Sequence, residues 1–162
     1  QGREHPGRRD LLSREPAYTV DVRRLDEFSA VELYAMLKLR VDVFVVEQHC
    51  PYPELDGNDI DCLHLRLLDG DDLLASARLW RPTPEHHPRI GRVAVSPNHR
   101  GKRLGEALMR EAIAEVEKHH PGEPIEISAQ SHLQRFYGSL GFEVISEEYL
   151  EDDIPHVDMV RR

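Results

Sequence analysis

Apolar positions along this chain change their spacing several times, and each change marks an element. Tyr18–Val22 alternates and predicts a strand. Ser29 followed by Glu32 is a capping box, opening a helix whose apolar positions Leu33, Leu37, Val41 and Phe44 recur near the 3.6-residue period. Cys50–Asp61 (CPYPELDGNDID) is a loop. Leu63–Leu68 and Leu73–Trp80 predict two strands joined by the Asp69–Gly70–Asp71 turn, and the Pro-rich Arg81–Pro88 cannot continue a ladder. Ile90–Val95 is densely apolar, which predicts a strand buried on both faces. After Ser96–Pro97–Asn98 a helix begins near Gly101 and runs to about Lys118, with Leu104, Leu108, Ala112 and Val116 spaced at four. Ile125–Ala129 is a strand. Ser131 and Gln134 predict a second capping box, opening a short helix through Phe136 and Tyr137 to a stop at Gly141. Phe142–Ile145 and Val157–Val160 predict closing strands.

This order, βα-ββ-βα-βα-ββ, predicts an α/β (α+β) domain: one mixed sheet with helices on its faces, over residues 17–162. Residues 1–16 are polar and aperiodic, and are expected to form a flexible N-terminal arm. No internal repeat interrupts the pattern, and 162 residues suffice for one real core.

Composition narrows the function classes. The longest run of large apolar residues, Val43–Val46, is too short to span a bilayer, so no membrane partner is expected. Gln1–Arg9 is charged with no apolar stretch after it, which points to a cytoplasmic protein. Cys50 and Cys62 have no partner at metal-ligand spacing, and the pairs His86–His87 and His119–His120 sit in polar stretches, so no metal site is expected. A formal charge of −9 argues against nucleic-acid binding.

Positive charge is nonetheless concentrated in one place. Arg89, Arg92, Arg100, Lys102 and Arg103 fall in fifteen residues that hold no Asp or Glu. The segment HRGKRLGEALM (His99–Met109) leaves a strand and opens an amphipathic helix, where the first amide N–H groups lack intrahelical partners and the helix dipole favours an anion. Gly101 and Gly105, without Cβ atoms, let a pyrophosphate approach the backbone. Alone, this is equally a basic surface turn. Its setting between strand and helix, and a second motif downstream, QSHLQRFYGSLGF (Gln130–Phe142), favour an anion site.

Together the two motifs resemble the GNAT N-acetyltransferase superfamily, whose coenzyme A loop has the form Arg/Gln-x-x-Gly-x-Gly/Ala. Arg100, Gly101, Lys102, Leu104 and Gly105 fit, while Arg103 stands where the second Gly is usual. Phe136–Tyr137 with Gly141–Phe142 fits the C-terminal motif. LYAMLKLRVDVFVVEQHCPYPELDGND (Leu33–Asp59), GRVAVSPNHRGKRLG and EDDIPHVDMVR (Glu151–Arg161) resemble the ElaA-like branch, whose members also tend to lack that Gly. The resemblance implies a central, mostly antiparallel, twisted sheet of about six to seven strands flanked by helices. It also implies acetyl-CoA as co-substrate, an amine as acceptor, and a homodimer.

By the same resemblance acetyl-CoA lies across a splay between the fourth and fifth strands, Ile90–Val95 and Ile125–Ala129, its pantetheine arm along Val93, Ala94 and Val95, with Gln130 nearby. Tyr137 matches the family's tyrosine that protonates the departing thiolate. The amine attacks the thioester directly, so Cys50 is not needed as a nucleophile. A base is needed, because an amine of pKa about 10.4 is uncharged in only about one molecule in 2,500 at pH 7. Glu47 is the first candidate and His64 the second. Carboxylates at residues 41–61 and 143–153, unmatched by Lys or Arg, would favour a cationic amine. Two other readings stay open: a non-catalytic acyl-CoA-binding or partner-binding module, and an acyl-homoserine-lactone-synthase-like acyltransferase, which the Arg40-x-x-Val43-Phe44 spacing faintly resembles.

Overall fold

Strand β3 (Leu63–Asp69) sets the logic of the sheet, because it is buried on two chemically different faces. Leu65 and Leu67 point to one side, His64 and Arg66 to the other, and all four are almost inaccessible. The computed structural model describes residues 2–4 and 17–162. Most of the arm expected over residues 1–16 therefore lies outside the described residues; Gly2–Glu4 forms β1, antiparallel to β2 (Thr19–Arg24).

The remaining strands are β4 (Asp72–Trp80), β5 (Arg89–Val95), β6 (Ile125–Gln130), β7 (Phe142–Val144), β8 (Tyr149–Glu151) and β9 (Ile154–Arg161). Among the described residues one sheet runs β1-β2-β3-β4-β5-β6-β9-β7, with β8 paired to β9. Every pairing is antiparallel except β5 with β6. The mixed, mostly antiparallel sheet flanked by helices is as expected, and two three-residue strands, β1 and β8, extend it. Three residues are too few to show an alternation in sequence.

Helix α2 (Leu104–His119) covers the apolar face. Leu104, Leu108, Ala112 and Val116 are all buried, in one cluster with Leu65, Leu67, Ala75 and Ala77. Helix α1 (Ala30–Val41) covers the other face. The Ser29–Glu32 capping box forms as expected, with Ser29 Oγ accepting from the Glu32 amide and Glu32 from the Ser29 amide. Its buried face is rotated from the expected one: Met36, Leu39 and Arg40 are buried, and Leu33 and Leu37 only half so. Leu39 packs on Ala94 of β5, while Arg40 and Glu32 turn to the ionic groups around Arg78 and Arg66.

Those cations are paired. Arg66 is held by Asp21, Arg40 by Glu54 and Asp59 at 2.8 Å each, and Arg78 by Asp56 at 3.0 Å and Asp59 at 3.1 Å. Two further expectations change. The Ser131–Gln134 capping box does not form: Ser131–Leu133 is a 3-10 turn, α3 (Gln134–Gly138) starts without a side-chain cap, and Ser131 Oγ is buried without a partner among the described residues. Strand β5 is not buried on both faces, since only Ile90 and Ala94 are fully covered. Its other residues face a cleft.

Candidate functional site

Strands β5 and β6 are hydrogen-bonded neighbours at one end only. Their single register pair is Arg89 with Glu126, reinforced by the Glu126 amide donating to the Pro88 carbonyl at 2.9 Å. Beyond it the strands diverge, leaving the inner edge of β5 without a strand partner. A cavity of about 1250 Å³ fills the gap, lined on one side by Val93 and Val95 and on the other by Ile127, Ser128 and Gln130.

A β-bulge aims β5 into that cavity. On β4, Ser76 faces Ala94 and Arg78 faces Gly91, so Arg92 and Val93 together oppose one residue. Arg92 takes a left-handed backbone (φ 49°), and its guanidinium lies 4.2 Å over the Phe44 ring and 3.3 Å from Glu54. Phe44 and Glu47 reach the cleft because α1 widens into a π-helical turn over Asp42–Glu47.

The basic loop closes one end. Gly101 (φ 82°) and Arg103 (φ 59°, ψ 27°) are both left-handed, and Arg103 is the N-cap of α2. The backbone thus takes at Arg103 the conformation that glycine accepts without strain, at a cost of about 1–2 kcal/mol. Arg100, Gly101, Arg103, Leu104 and Gly105 line the cavity. A Cβ on Gly105 would meet only Val95 Cγ2 at 3.9 Å, so the chain itself does not demand glycine there. Lys102 stands aside, its Nζ 3.3 Å from His99 Nδ1. Ala94 also turns away, its side chain packed with Leu39 and Val43. The positive charge is smaller than the sequence suggested: Arg92 is paired with Glu54 and Arg100 with Glu47, whereas exposed Arg103 has no carboxylate partner among the described residues.

Tyr137, on α3 after β6, lines the same cavity. It is 9% exposed, edge-on to Phe136 and Phe142, and burial pushes its hydroxyl above the ordinary tyrosine range. That keeps it a proton donor at neutral pH.

The two base candidates fare differently from expectation. His64 does not reach the cleft: it is 1% exposed, edge-on to Phe28, its Nε2 lies 2.9 Å from the Asp59 carbonyl, and burial holds its titration below the ordinary range. Glu47 does line the cleft, but both of its oxygens are clasped by Arg100, which holds the carboxyl below its ordinary value and weakens it as a base. The acidic loop is likewise spent internally, since Glu54, Asp56 and Asp59 serve Arg40, Arg78 and Arg92. Arg40 is thereby a buried structural cation.

Sequence reasoning marks Glu151 and Asp152 among the acceptor-side carboxylates but misses His156 and Tyr149 beside them. His156, Glu151 and Asp152 line the same cavity, and Ser128 is bonded to Tyr149, whose hydroxyl also donates to Asp158. Burial, then Asp158, push the Tyr149 hydroxyl up to about 12. The available signal was the pair Asp152–Asp153, a two-residue turn with both φ positive (51° and 65°) that brings Glu151 back over β9. The free cysteines play no visible part: Cys62 is buried, its thiol pushed by burial to about 11, and Cys50 Sγ donates to the Asp152 carbonyl at 3.3 Å.

Comparison with known proteins agrees with this geometry. The family model described as an acetyltransferase (GNAT) domain matches residues 58–162. Protein ElaA of Escherichia coli (strain K12) is 44% identical over 138 residues, 83% of this chain and 90% of that protein. The crystal structure of an acyl-CoA N-acyltransferase from Pseudomonas aeruginosa superposes with a TM-score of 0.85 at 44% identity, covering 90% of this chain and all of that one. Escherichia coli ElaA superposes with a TM-score of 0.83 at 40% identity, covering 90% and 99%. This chain belongs to the GNAT acetyltransferase family and is an acyltransferase of the ElaA-like kind.

Proposed function

We propose that this protein transfers an acetyl group from acetyl-CoA directly to a primary amine. The observation that carries the reading is the cleft where β5 and β6 diverge, lined by the Arg100–Gly105 loop that follows β5 and by Tyr137 on α3, which follows β6. The unpaired edge of β5 offers main-chain groups near Val93 and Val95 to an extended, amide-bearing arm. The free amides at the start of α2, with Arg100 and Arg103, suit a pyrophosphate. Tyr137 supplies a proton to the departing thiolate. Acetyl-CoA brings the activated acyl group, and these residues bind and orient it.

Glu151 and Asp152 on the cavity wall favour a cationic acceptor over an acidic one. Among the described residues no helix is long and apolar enough to cross a membrane. Calorimetric titration with acetyl-CoA tests the reading, with Arg100→Glu, Arg103→Glu alongside. Micromolar binding by the wild type, abolished in the double variant, is the expected result. No binding by the wild type at millimolar acetyl-CoA overturns it.

A further inference from the structure

His156 lines the same cavity as Tyr137. It lies on β9 opposite Gln130 of β6, and its side chain is buried against the cavity with 9% exposed. Its ring stacks on Tyr149, with centroids 6.2 Å apart and planes 26° from parallel. Nδ1 lies 2.7 Å from the Ile154 carbonyl oxygen, an acceptor only, so Nδ1 carries the hydrogen. That leaves Nε2 of the neutral ring with a lone pair. Facing it at 3.4 Å is Oε2 of Glu151, also an acceptor. With the ring neutral the two acceptors lie side by side and suit a cationic N–H donor, and with the ring protonated they form an ion pair.

The arrangement is built rather than incidental. Two consecutive left-handed aspartates, Asp152 and Asp153, form the turn that sets Glu151 beside His156. Left-handed non-glycine residues are strained and persist only where their surroundings hold them. Tyr52 donates to Asp153 at 2.9 Å and Cys50 to the Asp152 carbonyl, so the loop after α1 pins this turn at the cavity's edge. The other charged or titratable groups around the ring are Tyr149 from β8, Asp152 from the turn, Arg92 from β5 with its partner Glu54, and Cys50 and Tyr52 from the loop.

We propose that Glu151 and His156 seat the ammonium of the acceptor and that His156 Nε2 takes its proton, an inference that rests on the acetyl-transfer reading above. The ammonium donates one N–H to Glu151 and one to Nε2. Transfer of the second proton to Nε2 leaves a free amine and an imidazolium beside the Glu151 carboxylate. The amine nitrogen attacks the thioester carbonyl carbon, the C–N bond forms and the C–S bond breaks with its electron pair on sulfur. The thiolate takes the Tyr137 proton, the nitrogen's second excess proton replaces it on Tyr137, and His156 returns its proton to solvent. The acceptor class is an alkyl primary amine, charged at neutral pH.

The test compares the wild type with His156→Asn, which keeps a donor for the Ile154 carbonyl, and Glu151→Gln, using two acceptors: an alkyl amine and an alkoxyamine already uncharged at pH 7. Acetyl-CoA binding is measured first, by calorimetry; if the wild type neither binds nor turns over acetyl-CoA, the acetyl-transfer reading itself fails. With binding intact, His156→Asn is expected to lower kcat for the alkyl amine by about 100-fold or more at pH 7. It should leave the alkoxyamine within a few-fold, and recover rate as pH rises toward the amine's own pKa. Glu151→Gln is expected to raise KM for the alkyl amine more than it lowers kcat. Equal losses for both acceptors, or an unchanged alkyl-amine rate, overturn the proposal. Should His156→Asn fail to bind acetyl-CoA, the Glu151→Gln split decides alone, and an unchanged KM overturns the proposal.

Discussion

Arg100 and Glu47, 53 residues apart in sequence, clasp one another at the mouth of the cleft, both guanidinium end nitrogens donating to the one carboxylate. The pair joins the π-helical end of α1 to the basic loop, and it occupies the arginine a pyrophosphate would need. Each partner is about two-fifths exposed (42% and 43%), so the attraction is screened by water. Exposed pairs of this kind contribute about 0.2–1 kcal/mol. Glu47→Gln is therefore expected to tighten coenzyme A binding by about 1.4- to 5-fold at low salt, with a smaller gain at high salt. Calorimetry at two ionic strengths checks it. Weaker binding in the variant would mean that the carboxylate orients Arg100 rather than competes for it.

Tyr137→Phe separates an enzyme from a binding module. The hydroxyl is the one polar group that substitution removes, and no hydrogen bond ties it to another described residue. Coenzyme A affinity is expected to stay within about two-fold, while kcat falls by about 100-fold or more. Because burial raises the Tyr137 pKa above its ordinary value, the proton donor is present at neutral pH and is lost only as pH rises through that raised value. Any fall of the wild-type rate between pH 7 and 9 must then come from another group. A variant with an unchanged kcat would assign Tyr137 to packing against Phe136 and Phe142.

Arg103 holds a left-handed backbone at the start of α2. Arg103→Gly and Arg103→Ala both delete the charge and differ only in backbone freedom. Glycine relieves about 1–2 kcal/mol of strain but adds about 0.4–1 kcal/mol of unfolded-state entropy. The Gly variant is expected to be more stable than the Ala variant by about 0.5–1 kcal/mol, with coenzyme A binding weakened alike in both. Urea unfolding of the two checks it. Equal stabilities would mean that the loop relaxes out of the left-handed region.

What the sequence made legible follows from where its signals are local. The α2 face, the Ser29 cap and the basic loop each depend on residues within one or two turns, and all three stand where the pattern put them. Partnerships across the sheet were not legible. His64 looked like a candidate base because a lone histidine on a strand says nothing of which face it takes, and the face it takes is buried against Phe28 and the Asp59 carbonyl. The acidic run through Glu54, Asp56 and Asp59 looked like a solvated or substrate-facing patch. Its arginine partners, Arg40, Arg78 and Arg92, lie 14 to 38 positions away along the chain, beyond the reach of any periodicity. His156 was hidden for a related reason: its value lies in Glu151, five residues away and brought back by a turn.

The ionic cluster under α1, with Asp56 at its exposed rim and Asp59 buried within it, also fixes how the fold responds to acid. For Asp56, burial alone would raise the carboxyl, but the hydrogen bonds and charge of Arg78 and the amide of Asn58 outweigh it and hold the group at about 2. Asp59 behaves alike: burial pulls upward, and Arg40 and Arg78 carry it below its ordinary value. A carboxyl depressed in the folded state contributes stability that is full above its unfolded pKa, about 3.9, and lost as pH falls through the folded value. The protein is therefore expected to lose stability between about pH 4 and pH 2, with a shallower slope in Asp56→Asn. Arg40→Ala is harsher, because it leaves Glu54 with Arg92 alone and removes the Arg40 side of Asp59 in a buried site. Removing one partner of a buried pair costs about 3–5 kcal/mol, a fall in Tm of about 10 °C for a chain of this size. Thermal unfolding of the three proteins at pH 7 and at pH 3 reads both effects. A wild-type Tm equal at the two pH values would mean that the cluster opens to solvent and that α1 is not held by it.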